Sequence, residues 1–274
     1  MKNLLIPTDL NPITQNTLKY AISLCIKSNM KLFIYIANSA NTQFTNEYAT
    51  KYIKNIYGEL NQKFEITQTE ILIEDTFFSN AQLKEVTDKL NIDLVIIGLK
   101  QQSLKTTFFE SHVSDLIDEL NCPVLSIPQS YIDTNIERIG YATELYDISE
   151  RIKEIVPFAK LLGASIEAFH VYPVFPQNID IEKYDMKNSL DVLRNELNFE
   201  KINLHYIKTL FDNETVSGIR EFLKIYKPDI LIMYHKPRGI FDKLVMDGGS
   251  TNVIVKASPV PLLALNQKTV GRIS

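Results

Sequence analysis

Four landmarks in this chain occur twice, at separations of 134 to 138 residues. Thr8-Asp9-Leu10 returns as Thr143-Glu144-Leu145, and the run Asp93-Leu94-Val95-Ile96-Ile97-Gly98 returns as Asp229-Ile230-Leu231-Ile232-Met233-Tyr234. Cys122-Pro123-Val124-Leu125 returns as Val260-Pro261-Leu262-Leu263, and Asn29, at a helix end, returns as Gly163. A fixed period of this length means that one structural unit is repeated, and every later assignment depends on finding it first. The 274 residues are also about right for two domains of roughly 130 to 140 residues each. One duplication with small insertions accounts for all four pairs. It divides the chain into a first copy over 1–129 and a second over 136–270, with the polar, non-periodic stretch from Pro128 to Glu137 as linker.

Within the first copy, Leu4 to Pro7 is a short apolar strand, and the helix after it places Leu18, Ala21, Ile22 and Cys25 on one face. The pattern then predicts a strand over Leu32 to Ala37, a polar helix over about 45–62, an alternating strand over Glu65 to Ile73 and a helix over about 79–91. Asp93 to Gly98 is almost wholly apolar, a helix follows over about 107–120, and Pro123 to Ile127 closes the unit. In the second copy, strands are expected over 138–142, 165–171, 201–209, 229–234 and 261–265. The helices between them are expected over 147–162, about 180–197, 214–226 and about 249–257, with Pro157 kinking the first. Apolar strands without alternation, separated by helices, have to be covered on both faces. The expected class is therefore α/β, with two doubly wound five-stranded parallel sheets joined by right-handed crossovers.

The chain is 45% hydrophobic and 23% charged, the profile of a sequence that buries proper cores. A net charge of -4 leaves no excess of Lys and Arg for phosphates, which argues against a nucleic-acid partner. Cys25 and Cys122 sit in apolar patterns and are expected to be reduced and buried. The apolar run at the N-terminus is too short for a signal-peptide core, and no stretch of about 18 apolar residues occurs. No membrane span is expected, and the expected compartment is the cytoplasm.

In an open parallel sheet the ligand crevice lies beyond the carboxyl ends of the strands. The residues at that place are Thr8, Asp9 and 98–105 in the first copy, and Thr143, Glu144 and 235–249 in the second. An acid directly after the first strand can accept hydrogen bonds from a ribose, and the loop after the fourth strand leads to a helix N-terminus suited to phosphate.

Ile6-Pro7-Thr8-Asp9 and the helix ending Leu18-Lys19-Tyr20-Ala21 resemble the opening segment of a universal stress protein domain, and Asp93 to Pro128 and Asp229 to Leu265 resemble its closing segment. The resemblance spans nearly the whole chain. It implies two adenine nucleotide alpha hydrolase-like three-layer domains, packed as an internal pseudo-dimer through 123–127 and 261–265, because dimers of the family form through the last strand. It also implies a non-enzymatic stress-response protein acting through an unidentified protein partner. Whether two chains pair further as a homodimer stays open.

ATP-binding members of the family carry Gly-x-x-Gly and, after a spacer, Gly followed by Ser or Thr. In the second copy the final step falls on Gly248-Gly249 with Ser250 next, but the earlier glycine positions hold His235 and Arg238. Lys236, Arg238 and Lys243 could supply positive charge there. In the first copy the final step falls on Glu110-Ser111 and the nearby glycine is Gly98, so a carboxylate stands where phosphate should bind. The implied cofactor-binding set is thus Thr143, Glu144, His235, Arg238, Gly248, Gly249 and Ser250, with Asp9, Gly98 and Ser111 as its degenerate counterpart. No cofactor is assigned outright. An adenine nucleotide in the second copy, making the protein a sensor or weak ATPase, is the alternative to the binding-protein reading. Gly248-Gly249 as a plain turn before a helix, and Asp9 as a cap or turn residue, compete with the site reading.

The four histidines, His112, His170, His205 and His235, lie in separate elements without zinc-site spacing. The P-loop, dinucleotide and nucleophile-elbow motifs are absent, so no catalytic residue is assigned.

Overall fold

A computed structural model of the chain describes residues 1–11, 14–38, 43–63, 68–75, 79–99, 113–143, 145, 148–173, 186–210, 215–234, 258–265 and 267–269. The chain divides into two compact units, one of Met1–Thr134 with Leu263–Ile273, the other of Asn135–Leu262 with Ser274.

The first unit runs β1 (Asn3–Thr8), α1 (Gln15–Ser28), β2 (Lys31–Ala37), α2 (Asn46–Glu59), β3 (Thr69–Glu74), α3 (Asn80–Lys89), β4 (Leu94–Leu99), α4 (Val113–Glu119) and β5 (Val124–Pro128). Its strands stand in the order β3-β2-β1-β4-β5, and each of these pairs is parallel. In the second unit the elements are β6 (Arg138–Ala142), α5 (Ile148–Leu162), β7 (Ser165–Pro173), α6 (Met186–Leu197), β8 (Ile202–Thr209), α7 (Thr215–Tyr226) and β9 (Ile230–Tyr234). There β9-β6-β7-β8 are again parallel neighbours. The last strand, β10 (Leu262–Leu265), begins at the division between the units.

The central strands are hydrophobic on both faces, and every residue of β4 is buried. That is what helices on both sides of a parallel sheet require. Equivalent contacts recur in the two units. The Asp93 carboxylate accepts the N–H groups of Lys2 and Asn3 at 2.5 and 3.0 Å, and Asp229 accepts those of Glu137 and Arg138, both at 2.8 Å. The Val95 N–H donates to the Pro123 carbonyl and the Leu231 N–H to the Pro261 carbonyl. Asn29 and Gly163 close α1 and α5 in the left-handed region, with φ of 52° and 70°. A left-handed residue after a helix lets the following N–H reach back to an orphan carbonyl. Met30 reaches Cys25 in this way, and Ala164 reaches Ala159.

Several elements differ from their expected form. Rather than polar throughout, α2 is amphipathic and buries Ala49, Ile53, Ile56 and Tyr57. The described strand β3 spans Thr69–Glu74, and its residues are mostly half-buried without clean alternation because it stands at the sheet edge with one neighbour. Residues 64–67 lie outside the described residues. The described parts of α4 and α6 start at Val113 and Met186, since 107–112 and 180–185 also lie outside them, as does the helix expected over 249–257. α5 runs unbroken through Pro157. Gly218 of α7 faces Val171 of β7 so closely that a Cβ there would enter the valine side chain. Both cysteines are buried, as expected. No helix among the described residues is long and apolar enough to cross a membrane.

Candidate functional site

In the first unit the strand order reverses between β1 and β4, which places a crevice beyond their carboxyl ends. Thr8, fully buried, closes β1. Its Oγ1 accepts the Leu10 N–H at 3.1 Å and lies 3.2 Å from Thr14 Oγ1, which itself donates to the Asn11 carbonyl at 2.7 Å. Asp9 Oδ1 accepts the Asn11 N–H at 3.1 Å, an Asx turn. Leu10 sits in the left-handed region with φ of 52°. Asp9 is therefore a turn residue, one of its two expected roles. It is half-buried and pairs with no cation among the described residues. Gly98 is buried in β4 opposite Ile127. Ser111 lies outside the described residues.

The second crevice repeats this turn and then departs from it. Thr143 Oγ1 accepts the Leu145 N–H at 3.1 Å, and Leu145 has φ of 67°. His170 Nδ1 donates to the Thr143 carbonyl at 2.7 Å, which fixes where that imidazole keeps a proton. Where the first unit has Gly98, the second has Tyr234. Its hydroxyl donates to Glu154 Oε2, and the Arg151 guanidinium lies 4.2 Å from the centre of its ring. Arg151 also pairs with Glu154 at 3.2 Å, and both charged side chains are largely buried. Tyr141 meets the Tyr234 ring edge-on at 6.1 Å. Burial first, and then the Glu154 carboxylate, push the Tyr234 phenol far above its ordinary range. Glu144, His235, Arg238, Gly248, Gly249 and Ser250 lie outside the described residues, so of the ten expected site residues only Thr143, Asp9 and Gly98 are placed.

A second polar cluster escaped the sequence reading. Glu167 of β7 accepts from His205 Nε2 at 2.7 Å, Asn203 Nδ2 at 3.1 Å and Ser165 Oγ at 3.1 Å. The His205 ring lies 3.9 Å from that of Tyr226 on α7. The hydrogen bond from His205 is the largest influence on Glu167 and holds its carboxyl below the usual range, against the opposing effect of burial. These residues belong to the amino-terminal halves of β7 and β8, away from the strand-end crevice. No group of three metal-ligating side chains occurs among the described residues.

No protein-family model and no curated protein matches the chain. Solved structures do. A universal stress protein from Archaeoglobus fulgidus DSM 4304 aligns over 96% of this chain and 96% of its own, with TM-score 0.63 and 14% identity. A protein of unknown function from Pseudomonas aeruginosa PAO1 aligns over 100% and 95%, with TM-score 0.64 and 13% identity. Another from Pseudomonas aeruginosa UCBPP-PA14, provisionally assigned to the universal stress proteins, covers 100% and 96% at TM-score 0.62 and 12% identity. At such identity the likeness is one of fold. The chain is an α/β protein with the universal stress protein-like fold.

Proposed function

We propose that the chain is a tandem universal stress protein, with domains 1–129 and 136–270, that works by binding a protein partner in the cytoplasm and catalyses nothing. The equivalent turns after β1 and β6, and the equivalent Asp93 and Asp229 contacts, support the tandem reading. The internal pseudo-dimer through 123–127 and 261–265 is part of the same proposal. It is supported by the character of 123–127 and 261–265, two short apolar strands that would otherwise stand as open sheet edges.

Tyr234 is the observation that carries the binding-protein reading over the nucleotide reading. A nucleotide crevice needs a small residue at the end of the fourth strand so that backbone and phosphate can approach. The second copy, the one retaining Gly248-Gly249-Ser250, puts a phenol there and engages it with Arg151 and Glu154. In the first copy the strand end keeps Gly98, but Glu110 stands in the phosphate loop.

Native mass spectrometry of the protein as purified from cells tests this. A mass equal to that of the bare chain, with no thermal shift on adding ATP and magnesium, is the expected result. A retained nucleotide that Gly248→Val abolishes would instead establish the sensor or weak ATPase reading.

A further inference from the structure

β3 and β8 each stand at the edge of a sheet with one neighbour, and the two edges are finished differently. The Ile166 N–H bonds to the Lys201 carbonyl, so the alternate backbone groups of β8, beginning with the Ile202 carbonyl, point away from β7. Arg194 of α6 covers that carbonyl, donating to it from Nε at 3.1 Å and from Nη2 as well. Lys201 and Lys208, both exposed, stand at the two ends of the strand. Side-chain cover and lysines of this kind keep a sheet edge from recruiting another strand. β3 has neither. Thr69–Glu74 contains no Lys, Arg or Pro, and the strand pairs with β2 one to one over its whole length, without a bulge. The Gln68 and Glu74 carbonyls bond to β2, which turns the N–H and C=O groups of Ile71 and Ile73 outward. No group among the described residues bonds to them there. The consecutive aliphatic residues Ile71, Leu72 and Ile73 all remain partly open to water.

We propose that the outer edge of β3 is a strand-addition site for an extended segment of a partner protein, apolar along its length and basic where it reaches Glu74 and Asp75. The proposal rests on the protein-binding reading above and names the surface and the form of the partner. An open row of N–H and C=O groups is matched by another extended backbone, whose main-chain bonds give affinity while alternate side chains give specificity. Charge selects among extended segments. Glu70 is paired with Lys31 at 2.6 Å. Glu74 and Asp75, both exposed, accept instead from neutral groups, the Tyr35 hydroxyl at 2.6 Å and the Asn38 amide at 2.7 Å, so their charges stay uncompensated among the described residues. The same carboxylates disfavour a second copy of this strand. Two β3 edges paired antiparallel about Leu72 would exchange bonds between Ile71 and Ile73, but would set Glu70 directly across from Glu74, and like charges so placed repel.

A blocked Val-Thr-Val-Thr-Val-Lys-Lys peptide is the probe, with two controls: the same peptide methylated at every amide nitrogen, and one ending in Glu-Glu. The amide resonances of Ile71 and Ile73, followed by NMR in the intact chain, should move saturably with the first peptide and gain protection from hydrogen exchange. They should stay still with the methylated peptide and respond severalfold more weakly to the acidic one. Ile73→Pro removes one outward N–H without touching the ladder to β2, and should weaken the response of Ile71 severalfold. Should that variant fail to fold, Ile73→Lys places on the edge the charge that guards natural edges and should weaken binding likewise. No response to the first peptide, an equal response to either control, or binding undiminished in a folded Ile73 variant would overturn the proposal. So would movement of the same amides with protein concentration alone, which would give the edge to a second copy. A retained nucleotide in the native mass defeats the protein-binding reading itself. A bare mass without a response at Ile71 and Ile73 defeats only the strand-addition site.

Discussion

His205 Nε2 and Glu167 Oε2 are 2.7 Å apart on neighbouring strands, with Glu167 almost wholly buried. Asn203 and Ser165 complete the shell of the carboxylate, so its charged form is stabilised by three donors.

Acid sensitivity of the second unit follows from that shell. Glu167 titrates below its ordinary value of 4.5 in the folded chain. The stability it contributes is complete above the unfolded value and is lost as pH falls through the lower, folded value. Thermal unfolding of the wild type and of Glu167→Gln should differ at neutral pH and converge in acid. A gap that stays constant across that range would contradict the assignment. At neutral pH the substitution should cost about 1 to 3 kcal/mol, as expected when a buried charged acceptor is removed.

Tyr234→Phe removes the hydroxyl from Glu154 but leaves the ring under Arg151 and the Arg151–Glu154 pair in place. The expected loss is about 0.5 to 1.5 kcal/mol in urea unfolding, the net contribution of one hydrogen bond. Arg151→Ala should cost more, because Glu154 would then be buried without its cation.

Asp93→Ala and Asp229→Ala should weaken the chain to a similar degree, about 1 to 3 kcal/mol each, because each removes the acceptor of two backbone N–H groups at the start of a central strand. Denaturant midpoints of the two variants provide the comparison. A large effect from one and none from the other would show that the two carboxylates do different work.

Gly218→Ala should destabilise by about 1 to 3 kcal/mol through overpacking against Val171. Adding Val171→Ala should recover part of that loss, because the two positions share one space. The double variant would then unfold at a higher denaturant concentration than the sum of the single effects predicts.

Most of the scaffold was legible in the residues. The recurring Asp93 and Asp229 runs, the apolar strands and the helix-ending Asn29 and Gly163 are local patterns, each of which depends only on neighbours within a few positions. The candidate crevice was legible at Thr8 and Asp9, where the turn closes within six residues, and much less so in the second copy. Nothing about Tyr234 as a residue foretold its bond to Glu154, since 80 positions separate the two. The (i, i+3) spacing of Arg151 and Glu154 on one helix was the signal that could have pointed there.

What the sequence determined by itself was the recurrence of the landmark residues, the alternation of strand and helix, and the burial of the central strands, because turn chemistry and hydrophobic periodicity act over short stretches of chain. Only the tertiary structure decided that His205 meets Glu167 and that a phenol stands at the end of β9 under an arginine. Those relations depend on strand register and on which face of each helix lands on the sheet, and a shift of one residue in register would reverse the direction of every strand side chain involved.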